Sequence, residues 1–138
     1  MANYYTKFSI FVSLPDEGAQ KYALELASKA RQVQQDDKPA DDLPASLKDV
    51  IEDWQFETEV QNGRCALWLH SDYGGIDAVC CFIQHLLQKF NPKGRVGLEW
   101  SNDCSSPRGD AYGGGAAIIT AKKIKSINTH GWLLKNGA

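Results

Sequence analysis

A chain of 138 residues, 43% apolar and 23% charged, has the globular composition and is long enough to bury a sizeable core in one domain spanning 1–138. Its formal net charge of −2 excludes the general attraction to nucleic acid or anionic lipid that a strongly basic chain has. No apolar run approaches the roughly 20 residues of a membrane-crossing helix. The start, Met1 to Lys7, lacks the basic-then-apolar pattern of a secretory signal.

The charge is unevenly placed. Residues 36–59 carry nine acids and two lysines, a net −7; residues 89–138 carry eight basic residues and three acids, a net +5. The two halves either lie close and soften the asymmetry or form a bipolar surface that steers a charged partner. The cysteines are Cys65, Cys80, Cys81 and Cys104. An adjacent pair makes a poor disulfide, so reduced thiols and a cytoplasmic location are expected.

In chain order, Phe8 to Ser13 alternates as a strand, with Phe8, Ile10 and Val12 on one face. Ala19, Tyr22, Ala23, Leu26, Ala30 and Val33 then fall at helical spacing. Gln34 to Asp42 reads as a linker loop. Asp41 or Asp42 is placed to cap a short second helix, with Pro44 in its first turn. Leu47, Val50, Ile51 and Trp54 form that helix's apolar face.

Trp54 to Ser71 reads as a hairpin. Trp54, Phe56, Thr58 and Val60 alternate with polar residues, and Asn62-Gly63 is the preferred type I′ pair. A two-residue turn pairs Val60 with Cys65, Thr58 with Leu67 and Phe56 with Leu69. It buries Trp54, Phe56, Val60, Leu67 and Leu69 on one side and puts Trp68 and His70 on the other.

Gly74-Gly75 breaks the chain. Ile76, Val79, Cys80, Ile83, Leu86, Leu87 and Phe90 predict an amphipathic helix, closed by Asn91-Pro92-Lys93-Gly94. Val96 to Trp100 is a strand. Ala116 to Thr120 and Ile124 to Asn128 predict a final hairpin, and Lys135 to Ala138 a loose tail. The order β-α-(α)-β-β-α-β then β-β predicts an α+β fold: a ferredoxin-like split βαβ sandwich with an appended C-terminal hairpin. Helices cover one sheet face and leave the other open.

Leu67 to Ser71, the helix that follows, Leu98-Glu99-Trp100 and the Gly113-Gly114-Gly115 hairpin resemble small proteins of phages, plasmids and bacteria that carry a ferredoxin-like domain. The likeness covers about the second half of the chain. It implies fold and supplies no functional residues.

The densest chemistry lies between Trp100 and Thr120. Gly113-Gly114-Gly115 leads into a strand with no Lys-Ser/Thr after it, so it is neither a P-loop nor a dinucleotide fingerprint. It is a bulge or tight turn, or a place where a partner backbone lies close. Cys104 with Asp103 or Asp110, Arg108 and His130 could make a nucleophilic set, but no spacing enforces one. No C-x-x-C or H-E-x-x-H pattern occurs, so no metal or cofactor is expected. Cys81 and His85, at i and i+4 opposite the apolar stripe, are only two ligands on a solvated face.

Phe11, Trp68 and His70 share the open sheet face. RNA-recognition domains of this kind stack bases on the same two strands, but Glu57, Glu59 and Glu99 lie there too and repel phosphates. Dimerisation, or cover by the C-terminal hairpin, explains these aromatics more simply. Lys122, Lys123 and Lys125 crowd the last hairpin, where they discourage edge pairing or meet an acidic partner.

The expected function is a non-catalytic protein-binding module. It would act through Trp100, Cys104, Arg108, Asp110, Tyr112 and Gly113 to Gly115, or through Phe11, Trp68 and His70. The alternatives are a small enzyme using the Cys104–Asp110 loop and a nucleic-acid binder on the open face. A homodimer is possible, and no membrane partner is expected.

Overall fold

The computed structural model describes residues 3–36, 39, 41–61 and 63–137. Its elements are β1 (Tyr4–Ser13), α1 (Glu17–Asp36), α2 (Ala45–Lys48), β2 (Glu57–Val60), β3 (Ala66–Ser71), α3 (Ile76–Phe90), β4 (Arg95–Cys104), β5 (Gly113–Thr120), β6 (Ile124–Asn128) and α4 (Thr129–Lys135). The fold is α+β. The strands form one six-stranded sheet in the order β2-β3-β1-β4-β5-β6, with every neighbouring pair antiparallel.

The core lies between one face of this sheet and helices α1 and α3. Period-two alternation sends Phe8, Val12, Leu67, Leu69, Leu98, Ala117 and Ile119 into it, all buried. From α1 come Ala19, Ala23, Leu26, Ala27 and Ala30. Their small side chains let that helix ride close to the sheet. From α3 come Val79, Phe82, Ile83, Leu86 and Leu87. Trp54, Phe56 and Phe82 form the aromatic centre, with Trp54–Phe56 centroids at 4.7 Å and an edge-on Trp54–Phe82 contact at 5.4 Å.

Two aspartates seat the helices. Asp16 accepts from the Ala19 N–H at 2.8 Å at the start of α1. Asp53, far away in sequence, accepts from the Ala78 N–H at 3.1 Å in the first turn of α3. Each satisfies an N–H that a helix start leaves unpaired. Burial raises the Asp53 pKa, and its Ala78 bond partly opposes that.

Several expectations need correction. The β2–β3 register is Glu57 with His70, Thr58 with Leu69, Glu59 with Trp68 and Val60 with Leu67, two residues away from the expected pairing. The connection is therefore four residues, 62–65. The Arg64 N–H bonds the Gln61 carbonyl across a turn at 3.3 Å. Asn62 itself lies outside the described residues. A slip of two keeps every side chain on its face, whereas a slip of one would invert them. So Leu67 and Leu69 are buried as expected. Val60, at the sheet edge, is 43% exposed.

Trp54 lies outside the strand: a short 3-10 turn, Ile51–Asp53, precedes it. Asp41 and Asp42 do not cap α2, because Pro44 occupies the N-cap position. The expected linker is helical through Asp36, with residues 37, 38 and 40 outside the described set. Of the expected loose tail, Lys135 ends α4, and Asn136 and Gly137 follow in a turn. Its last residue, Ala138, is outside the described set.

Candidate functional site

The Trp100–Thr120 stretch is more regular than its composition suggests. β4 continues to Cys104, and β5 begins at Gly113. The three glycines are strand residues, paired with Asn102, Ser101 and Trp100, and not a loop. They are required by close approach. A Cβ on Gly115 would land on the Trp100 ring and within 2.6 Å of the Ile127 carbonyl oxygen. Gly113 has φ +138° and lies against Thr129 and His130, a conformation that side chains disfavour.

The remaining loop, 105–112, is tied down by its own residues. Arg108 Nη1 donates to the Tyr4 hydroxyl at 2.7 Å, with its guanidinium over the Tyr4 ring. The Tyr112 hydroxyl donates to the Cys104 carbonyl at 3.0 Å. Both side chains, expected as partner contacts, thus have internal roles. Cys104 is buried, and its sulfur accepts from the Ser106 N–H. Asp110 is exposed in a short 3-10 turn. His130 sits beside Gly113. The nucleophilic set thus draws on β4 for Cys104, on the loop for Arg108 and Asp110, and on α4 for His130.

Cys81 and His85 do not face solvent as a pair. His85 bonds the Tyr22 hydroxyl on α1 at 2.9 Å, and Lys89 lies over the Tyr22 ring. Burial lowers the His85 pKa, and Lys89 lowers it further. Burial raises the Cys81 thiol and pushes Cys80 up to about 12. All four thiols are unbridged. Among the described residues, no group of three or more His, Cys, Asp or Glu is placed to hold a metal.

Two surfaces remain. The first is a groove of about 580 Å³ where β5 and β6 meet α4. Its floor includes Gly113, Gly114 and Gly115, and its walls Ile127, Trp132 and Leu133. α4 starts where Asn128 Oδ1 accepts from the Gly131 N–H at 2.6 Å, and the Thr129 hydroxyl accepts from the Gly114 N–H at 3.0 Å. These bonds fix α4 to the glycines, yet its apolar residues stay open. Trp132 and Leu133 are about half-exposed, and Leu134 is 74% exposed. Sequence reading missed α4. Asn128-Thr129, a good helix cap followed by Trp132, Leu133 and Leu134, was the available signal.

The second is the open sheet face. It carries Phe11, 56% exposed, with Trp68 and His70 half-buried beside it. The Trp68 ring lies nearly parallel to two neighbours, Phe11 with centroids at 6.2 Å and His70 at 3.9 Å. Its Nε1 donates to the Ser9 hydroxyl at 2.8 Å, and His70 contacts Glu59 at 2.6 Å. The three aromatics thus form a fixed ridge with Glu59 at its end. No known protein-family model, curated protein or solved structure matches this chain.

Proposed function

We propose that this chain is a non-catalytic protein-interaction module, and that its partner docks in the groove between α4 and the glycine end of β5. In this reading β1 to β4 with α1 and α3 are a ferredoxin-like split βαβ unit, which the order β2-β3-β1-β4 supports. β5, β6 and α4 extend that unit on one side to build the docking surface. The observation that carries the reading is the cluster of Ile127, Trp132 and Leu133, all exposed around a glycine floor. Grouped exposed apolar side chains mark interaction sites, and a tryptophan beside a hollow is the usual anchor. Lys135 closes α4 and favours an acidic residue at the rim of the partner's contact, while Lys122 and Lys123 lie at the far end of the β5–β6 hairpin. Four free thiols suit a reducing compartment, so the cytoplasm is the proposed location.

The enzyme reading has less support, because Cys104 is buried with its sulfur accepting from the Ser106 N–H, and His130 lies against Gly113. The nucleic-acid reading also has less, because His70 already stacks on the Trp68 ring and Glu59 pairs with His70 beside it. The test is capture of partners by the tagged chain, identified by mass spectrometry, then direct titration with the purified partner. Trp132→Ala and Leu133→Ala should weaken the titrated affinity by roughly tenfold or more. Unchanged affinity in both variants would remove the groove as the site.

A further inference from the structure

The β2 edge of the sheet, away from the docking groove, carries an inference of its own. The order β2-β3-β1-β4-β5-β6 gives β2 one neighbour, β3, and one bare side. Hydrogen bonding fixes which backbone groups lie on that side. The Gln61 N–H donates to the Ala66 carbonyl at 3.4 Å, so residue 61 turns its polar groups toward β3. In an antiparallel ladder that direction alternates along the chain. Glu57 and Glu59 therefore also turn toward β3, and the Phe56 carbonyl and the peptide groups of Thr58 and Val60 turn outward. Among the described residues, no loop or side chain bonds the outward groups of Thr58 or Val60.

A bare edge of this kind is a template for an added strand. Room for one is present. A hollow of about 280 Å³ lies between α1 and β2, bordered by Ala27 and Ser28 on the helix and by Phe56 and Thr58 below it. Ala27 and Phe56 are buried, so its floor is apolar.

Arg31 on α1 crosses this edge. Its Nη1 donates to the outward Phe56 carbonyl at 2.7 Å, the kind of bond an incoming strand would make. Its Nη2 donates to Glu57 Oε1 at 2.6 Å. Glu57 lies opposite His70 and shares the open face with it, whereas Phe56 is buried on the helix side. The Arg31 side chain thus leaves the helix layer, passes the sheet edge at Phe56 and ends on the far face. The planar fork of a guanidinium can hold both acceptors at once, which the point charge of a lysine does not do.

We propose that Arg31 is a guard that closes the β2 edge to extended chains, the edge strands of other copies included. Its two bonds hold it on the line that an added strand would follow. Pairing along Phe56, Thr58 and Val60 requires the guanidinium to leave first. The four-residue length of β2 acts in the same direction, because short edge strands resist pairing. At the other end of the sheet β6 is also an edge, so a released β2 edge finds a free strand in every other copy.

Sedimentation of the purified full chain tests this with Arg31→Ala and Arg31→Met, the second keeping an unbranched apolar stem. Each should raise the weight-average mass over the wild type, at equal micromolar concentration, by at least about twofold, the step from one copy to two. Circular dichroism of the diluted variants should match the wild type. Adding Thr58→Pro should return the mass to the wild-type value, because proline removes an outward N–H and leaves the β3 ladder intact. Val60→Pro should do the same. Arg31 variants that keep the wild-type mass overturn the proposal. An association that survives both proline changes overturns it too and assigns the contact to another surface. Hydrogen exchange on the wild type gives a readout without any variant: the Thr58 and Val60 amides should exchange fast, and the Glu59 amide slowly. Slow exchange at Thr58 and Val60 would mean that the edge is already covered, and would overturn the guard. Partner titration in the groove should be unaffected by Arg31→Ala with Thr58→Pro, so the two readings fail separately.

Discussion

Trp100 on β4 lies directly opposite Gly115 on β5, and its indole fills the space a Cβ on Gly115 would need. This pair explains why the third glycine of the triplet is a glycine. Gly115→Ala forces the ring or the Ile127 carbonyl to move. The expected loss of stability is about 1–3 kcal/mol, the usual cost of overpacking. Urea unfolding checks it. Trp100→Leu should recover part of the loss, because the two positions share one space and their effects do not add.

His85 gives a pH dependence with a definite sign. Burial and Lys89 hold its folded pKa below the ordinary 6.5. As pH falls, the unfolded chain takes up this proton before the folded one does, so acid favours unfolding. The stabilising effect of a neutral His85 is fully present above about pH 6.5 and is lost as pH falls from there toward the lowered value. The urea midpoint should therefore drop between about pH 7.5 and about pH 5.5. The drop should be smaller in His85→Gln. An equal drop in both proteins would mean that burial and Lys89 do not hold the His85 ring neutral.

The thiols should react in order of access. Cys65 is partly exposed in the β2–β3 connection, Cys81 is half-buried on α3, and Cys80 is buried. Burial also raises the pKa of both helix thiols, Cys80 to about 12, which lowers the fraction of reactive thiolate. Native-state alkylation followed by peptide mass mapping should label Cys65 first, Cys81 slowly and Cys80 only on unfolding. Equal labelling of Cys80 and Cys81 would contradict the observed phase of α3.

The sequence alone determined which side chains face inward on the main elements. Phe8 and Val12, Leu67 and Leu69, and Val79, Ile83, Leu86 and Leu87 are all buried, because periods of 2 and 3.6 are local properties of the backbone. It also determined that Phe11, Trp68 and His70 share one face, which the cross-strand stack bears out. Register was less legible. Alternation repeats every two residues, so the two-residue and four-residue connections bury the same face. The four-residue connection shows in the backbone bonds themselves: the Gln61 N–H donates to the Ala66 carbonyl at 3.4 Å and the Arg64 N–H to the Gln61 carbonyl at 3.3 Å.

Tertiary structure also decided the roles of residues around Trp100–Thr120. Composition there suggests a flexible, reactive loop. Instead, pairing with β4 draws the glycines into a strand, Tyr4, nearly a whole chain length away, holds Arg108, and the Cys104 carbonyl holds Tyr112. A hydrogen bond spanning 104 residues leaves no mark in local spacing. The same holds for α4, whose seven residues are too few to be stable as an isolated helix. The Thr129 bond to Gly114 fixes it in place.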